Sequence, residues 1–231
     1  MNQSIWYKIS IILGSVFFGY IAISLATGAM ETFHIEGVYR LFTIILVQNS
    51  IILLALWWYY GRDKAVFRNF GLHLPEKKSA YTVAILVGLV LFMAGNLYMY
   101  AFQIVMGRDI EAQDLTAFFP NQATVLDLLL LLVTVGVLAP FTEELLFRGA
   151  VYHAYKDSKL GVFGAMIVAS FTFALLHADM ERFIVFFIGG MVFNVLSRHY
   201  NSLVVSMLSH ATWNTLSLLA FYSAVVMGGV E

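Results

Sequence analysis

Four groups of polar residues stand inside runs that are otherwise apolar, and their types are those that move protons. The first is Pro140-Phe141-Thr142-Glu143-Glu144-Leu145-Leu146-Phe147-Arg148, the second ends the run Phe173-Ala174-Leu175-Leu176 with His177, and the third is His210-Ala211-Thr212-Trp213-Asn214. The fourth, Asp127, falls near the expected start of a helix, where the dipole favours a carboxylate. A charge at the centre of a membrane span costs at least about 2.5 to 3.5 kcal/mol on insertion scales, so such residues mark function or buried pairing. A carboxylate can take a proton from water, an imidazole can position that water or relay the proton, and imidazole or amide donors can stabilise an oxyanion. A carboxylate and two imidazoles converging with an amide in an apolar bundle suit hydrolysis.

Spacing separates the roles. Glu144 and Arg148 are four residues apart with the acid first, which stacks them on one helix face and permits a bidentate, charge-assisted pair with a structural role. Glu143 lies about 100° round the helix from Glu144, so the pair does not consume it and it faces elsewhere in the bundle. His210 and Asn214, again four apart, share a face. Gly189 and Gly190 read as a close helix contact, and Gln48, Asn49, Asn96 and Gln103 as interhelical hydrogen bonds. Trp6, Trp57, Trp58, Tyr59 and Tyr60 fit interfacial aromatic belts, while His34, His73, His153 and His199 fall in or near connections.

The elements that must position these groups follow from composition. Of 231 residues, 61% are hydrophobic and 12% charged, against about 25% charged in soluble domains. This excludes a water-soluble globule. A formal charge of −1 gives no reason to expect nucleic acid as a partner, and the lack of cysteine excludes thiol catalysis and thiolate metal sites. Seven apolar segments can be drawn: Ile9 to Met30, Leu41 to Tyr60, Ser79 to Met106, a fourth beginning near Thr124, Leu160 to Ala178, Phe183 to Ser197 and Asn201 to Met227. The expected fold is an all-α polytopic bundle of about seven spans in a single membrane domain, residues 1–231, with the chemistry in 124–216. The first segment is too long for a signal-peptide core and reads as a retained span. Pro140, inside the fourth segment, removes a backbone donor and is expected to kink the helix.

Loop charge sets the orientation, since short loops rich in Lys and Arg stay cytoplasmic. Lys8, then Arg62, Lys64, Arg68, Lys77 and Lys78, then Lys156 and Lys159, then Arg198 fall on one side. Arg40, Arg108 and Arg182 fall on the other with Glu31, Glu36, Asp109, Glu111, Asp114, Asp179, Glu181 and Glu231. The N-terminus is therefore expected in the cytoplasm and, with seven spans, the C-terminus outside; an eighth span would return it, but only about half a span of chain follows Asn214. Multi-pass insertion in a bacterial plasma membrane fits this composition.

Depth tests whether the polar groups can meet. If the fourth helix runs on to about Tyr155, a rise of ~1.5 Å per residue puts Glu143 about 20 Å and His177 about 25 Å above the turn at Lys156 to Gly161. His210 and Asn214 then lie about 13 and 19 Å above Asn201, in the same band. If that helix stopped at Phe147, the constellation would fail.

The ordered set Glu-Glu-x-x-x-Arg, Phe-x-x-x-His and His-x-x-x-Asn on successive apolar helices resembles the CPBP intramembrane proteases, also called the Abi family. These include the CAAX prenyl endopeptidase and the bacteriocin-processing and immunity-associated proteins. The matching positions are Glu143, Glu144 and Arg148; Phe173 and His177; His210 and Asn214. The resemblance implies a CAAX-protease-like bundle cutting a membrane-anchored or lipidated peptide within the bilayer. Glu143 and His177 would activate water, His210 and Asn214 would stabilise the oxyanion, and Glu144 with Arg148 would hold Glu143 in place, Phe173 supporting the site. A metal-free glutamate mechanism and a single zinc on Glu143, His177 and His210 both remain open, although His-Glu-x-x-His is absent. The alternatives are a catalytically silent member of the same fold acting as an immunity or regulatory protein, which retention of the full set argues against, and a small carrier, for which no internal repeat is seen.

Overall fold

The computed structural model describes residues 36–61, 64–107 and 124–228, together with Gly14, Thr27, Gly28, Met30 and Thr32. The apolar segment expected at Ile9 to Met30 lies almost wholly outside the described residues. So do Trp6, Glu31, His34, Arg62, Arg108, Asp109, Glu111, Asp114, Pro120 and Glu231.

The described residues form α1 (Gly37–Tyr60), the short α2 (Lys64–Asn69), α3 (Ser79–Met106), α4 (Val125–Tyr155), α5 (Gly161–Leu176), α6 (Phe183–His199) and α7 (Leu203–Gly228), with no strand among them. The fourth helix is the long one that the depth argument required. α1, α3 and α4 are long and apolar enough to cross a membrane. α5 and α6, with 16 and 17 residues, are shorter apolar helices. At ~1.5 Å per residue they rise about 24 to 26 Å, somewhat less than the roughly 30 Å of a hydrocarbon core. Leu86, Val90, Met93 and Leu97 on α3 and Val133 and Val137 on α4 point outward and exposed, as side chains do when the solvent is lipid.

α4 is the central post, packed against α1, α5 and α7, while α3 lies along α7 and α5 along α6. Small residues set these approaches. A Cβ at Gly190 would come within 3.0 Å of the Ser170 Cβ, and one at Gly189 would strike the Trp213 indole. The close contact expected at this glycine pair is therefore present, between α6 and its neighbours α5 and α7. At the far end of α4, Thr124 and Asp127 make a reciprocal cap. The Thr124 hydroxyl accepts from the Asp127 N–H (3.2 Å), and the Asp127 carboxylate accepts from the Thr124 N–H (2.8 Å), which accounts for this buried acid as a helix-start residue.

Sequence reading missed the register of α4. Two stretches, Leu132–Leu138 and Leu145–Val151, are π-helical, and between them lies the α-helical Ala139–Glu144. The first π stretch absorbs Pro140. The Ala139 N–H bonds five residues back to the Thr134 carbonyl, and Pro140 has no N–H to offer Val135 in turn. The missing donor is met by a change of register and leaves the Val135 carbonyl free for another helix.

Candidate active site

A cavity of about 630 Å³ opens among α1, α3, α4, α5, α6 and α7, and Glu143, His177, His210 and Asn214 all line it. Its remaining wall is mostly apolar, with Gln48 and Asn49 from α1 and Asn96 from α3 adding amides. The Asn49 and Asn96 side chains donate to carbonyls of their own helices, Ile45 (2.8 Å) and Phe92 (2.8 Å), where bonds between helices were expected.

His210 stands between the two glutamates. Its Nδ1 is 3.0 Å from Glu144 Oε1, and its Nε2 is 3.7 Å from Glu143 Oε2. An ionised carboxylate can only accept, so Glu144 fixes Nδ1 as the protonated nitrogen and turns Nε2 toward the cavity. Phe193 stacks on the ring at 4.8 Å and Phe173 meets it edge-on at 5.5 Å, which holds its plane. Glu144 is fully buried, whereas the Glu143 side chain is 25% exposed to the cavity and its Oε2 has no hydrogen-bond partner.

The pairing of Glu144 with Arg148 is present, with Nη1 donating at 2.9 Å and both side chains at 0% exposure. The bonds of this pair run to His210 and α6, where support of Glu143 was expected. Arg148 Nη2 donates to the Gly190 carbonyl at 2.9 Å, and its guanidinium carbon lies 4.8 Å from the Phe173 ring centroid and 5.2 Å from that of Phe193. A charge so far from water is tolerable only where paired and hydrogen-bonded, and aromatic faces add to its stabilisation. Asn194 completes the support by donating to the same Gly190 carbonyl (3.0 Å) and to the Ser170 hydroxyl (3.1 Å). Neither Asn194 nor Ser170 was given a role from sequence. The available signal was an amide four residues after Gly190 on an apolar helix.

His177 caps the C-terminus of α5, and Ala178 behind it takes a positive φ of 52°. Its Nδ1 donates to the Phe173 carbonyl at 2.8 Å, leaving Nε2 as an acceptor. Phe186 stacks on the ring at 4.1 Å and Phe173 meets it at 4.6 Å. Asn214 Nδ2 donates to the Val135 carbonyl at 3.1 Å, the acceptor that Pro140 and the π register leave free. Among the described residues no group of three or more His, Asp or Glu side chains is placed to hold a metal ion. Glu143, His177 and His210 thus share a cavity without forming the three-ligand set that zinc would need.

The fold defines a class, the helical membrane bundle, and comparison with known proteins narrows it. Residues 125–216 match the family model described as type II CAAX prenyl endopeptidase Rce1-like. The chain is also similar to a protein of Bacillus subtilis (strain 168) named "Putative membrane peptidase YdiL", 25% identical over 131 residues that make up 55% of this chain and 49% of that protein. The match thus spans about half the length of that relative. No solved structure matches.

Proposed function

We propose that this chain is an intramembrane endopeptidase in which Glu143 and His177 activate water and His210 and Asn214 stabilise the oxyanion. The observation that carries the reading is that Glu143 lines a cavity together with two oriented imidazoles, while its buried Oε2 has no hydrogen-bond partner and lies 3.7 Å from His210 Nε2. A water bound there gives one proton to the Glu143 carboxylate and points the other at the His177 Nε2 lone pair, so its oxygen attacks the peptide carbonyl. The developing oxyanion takes hydrogen bonds from His210 Nε2–H and from the second Asn214 amide hydrogen. Because Glu144 already occupies Nδ1–H, a hydrogen on Nε2 makes His210 the imidazolium in this step. Glu143 then passes its proton to the leaving amine.

The substrate on this reading is a membrane-anchored or lipidated peptide, entering from the bilayer into the apolar part of the cavity. The catalytic core is 124–216 within a single membrane domain of multi-pass topology. The plasma membrane is the proposed location and the cytoplasm that of the N-terminus.

The test is proteolysis of a panel of membrane-anchored peptides in liposomes by wild type, Glu143→Gln and His177→Ala, with and without a chelator. Cleavage by wild type that is lost in both folded variants and insensitive to chelator is the expected result. A folded Glu143→Gln protein that cuts as fast as wild type overturns the assignment.

A further inference from the structure

A second cavity, of about 190 Å³, has Arg148 in its wall. It is lined by Asn69, Phe70, Arg148, Tyr152, His153, Lys156, Ser197, Arg198, Asn201 and Leu203. Three separate segments meet there. The Leu203 N–H donates to the Gly71 carbonyl at 2.8 Å, the Ser202 hydroxyl donates to the His73 carbonyl at 2.6 Å, and the Phe70 ring lies 5.0 Å from that of His153. The connection after α2, the end of α4 and the turn from α6 to α7 are thereby locked into one wall. All three carry the Lys and Arg excess of this end of the bundle.

The chemistry of the wall is one-sided. Lys156 and Arg198 contribute two cations, Asn69, Asn201 and Ser197 contribute neutral polar groups, and among the described residues no carboxylate lines the cavity. Among the described residues neither Lys156 nor Arg198 is paired with an acid. Arg198 Nη1 instead approaches the Met166 sulfur at 3.5 Å, a poor acceptor. Arg148 is 1% exposed, and its Nε, buried without a hydrogen-bond partner, is a donor in want of an acceptor. His153 Nδ1 is bound to the Arg148 and Gly149 carbonyls, so its ring is fixed in the wall. Cations without counter-charge and amides around a concavity are complementary to a tetrahedral oxyanion. The position at the helix ends is that of lipid headgroups.

We propose that this cavity is a phosphate-binding site, taking the phosphodiester headgroup of an anionic phospholipid or a free phosphate at the Lys-rich end of the bundle. Because Arg148 belongs both to its wall and to the network that orients His210, the bound anion is linked to the catalytic cavity through Arg148, Glu144 and His210. The inference stands on the cavity alone and does not require the protease reading.

The test uses the full chain in nanodiscs of phosphatidylcholine containing a minor fraction of phosphatidylglycerol, with the lipid that co-purifies after detergent exchange read by native mass spectrometry. A parallel titration uses inorganic phosphate in pure phosphatidylcholine. Wild type is expected to retain phosphatidylglycerol, and Lys156→Gln with Arg198→Gln to lose that preference by about fivefold per charge removed. Lys77→Gln with Lys78→Gln removes equal charge outside the cavity and is expected to retain it. Phosphate binding without lipid preference, lost in the same cavity variant, assigns the free anion instead. Retention of both ligands by the cavity variant, equal loss in both charge variants, or no binding of either ligand by wild type overturns the proposal.

Discussion

Replacing Arg148 by methionine removes the charge while keeping most of the stem, and its effect can be worked from the contacts. Glu144 would keep His210 but lose the Nη1 bond at 2.9 Å, leaving a carboxylate at 0% exposure without its cation. Breaking one side of a buried pair costs about 3 to 5 kcal/mol, and the cation stacked on Phe173 and Phe193 adds roughly 0.5 to 2. Arg148→Met is therefore expected to lose about 3.5 to 7 kcal/mol, and Glu144→Leu about 3 to 5 because it strands the guanidinium. The double variant strands neither charge and is expected within about 2 kcal/mol of wild type, since buried pairs replaced by apolar residues are often neutral. The coupling energy of the cycle should thus exceed about 4 kcal/mol. Equilibrium unfolding in mixed micelles measures all four corners. Activity should not follow stability, because the double variant lacks the acceptor that orients His210 Nδ1 and should remain down about 10- to 100-fold. If the two single losses simply add, or if Arg148→Met unfolds within about 1 kcal/mol of wild type, the network reasoning is wrong.

Gly189→Ala, whose new methyl meets the rigid Trp213 indole, should lower stability by about 1 to 3 kcal/mol, read as an earlier midpoint in the same unfolding assay. Asn214→Leu should cost about 1 to 3 kcal/mol, because it leaves the Val135 carbonyl without a donor, and should also reduce kcat; a change in KM alone would speak against an oxyanion role. Pro140→Ala restores an N–H that can compete with Asn214 for the Val135 carbonyl. It is expected to lower kcat with little loss of stability, and unchanged kcat would refute that competition. Glu143→Gln should abolish cleavage in a folded protein, as gel assays of the peptide panel would show.

Much of the bundle could be read from hydropathy, because in lipid the cost of an exposed peptide group forces each long apolar run into a helix. α1 and α3 to α7 begin and end within about four residues of the expected segments, and the bounds of α3, Ser79–Met106, are the expected ones. The common depth of Glu143, His177, His210 and Asn214, which all line one cavity, followed from rise per residue once the fourth helix was taken as long. What could not be read was rotation. The π turns of α4 change the face on which Glu143 and Glu144 emerge, and no hydropathy period reports them. Assigning Glu144 to Arg148 was a local inference and succeeded. Its second bond, to His210 66 positions away, depends on how α7 packs. The Gly190 carbonyl was invisible for the same reason, since a backbone acceptor has no letter in the sequence.

The two π stretches of α4 act as phase shifters on either side of a six-residue segment. An α-helix advances about 100° per residue, so one residue gained or lost in Leu132–Leu138 swings Glu143 and Glu144 about a quarter turn while Val125–Leu131 stays where α1 packs on it. The same change in the opposite sense within Leu145–Val151 returns Tyr152–Tyr155 to its original bearing. A deletion in the first stretch and an insertion in the second thus cancel at both ends of the helix and differ only in the middle. In this helix the aim of the carboxylates is adjustable independently of the scaffold, by length where most sites are tuned by side-chain identity. Single-residue deletions along α4 should be tolerated for folding far better in the π stretches than in the α turns, with the position of Glu143 relative to His210 as the variable they alter.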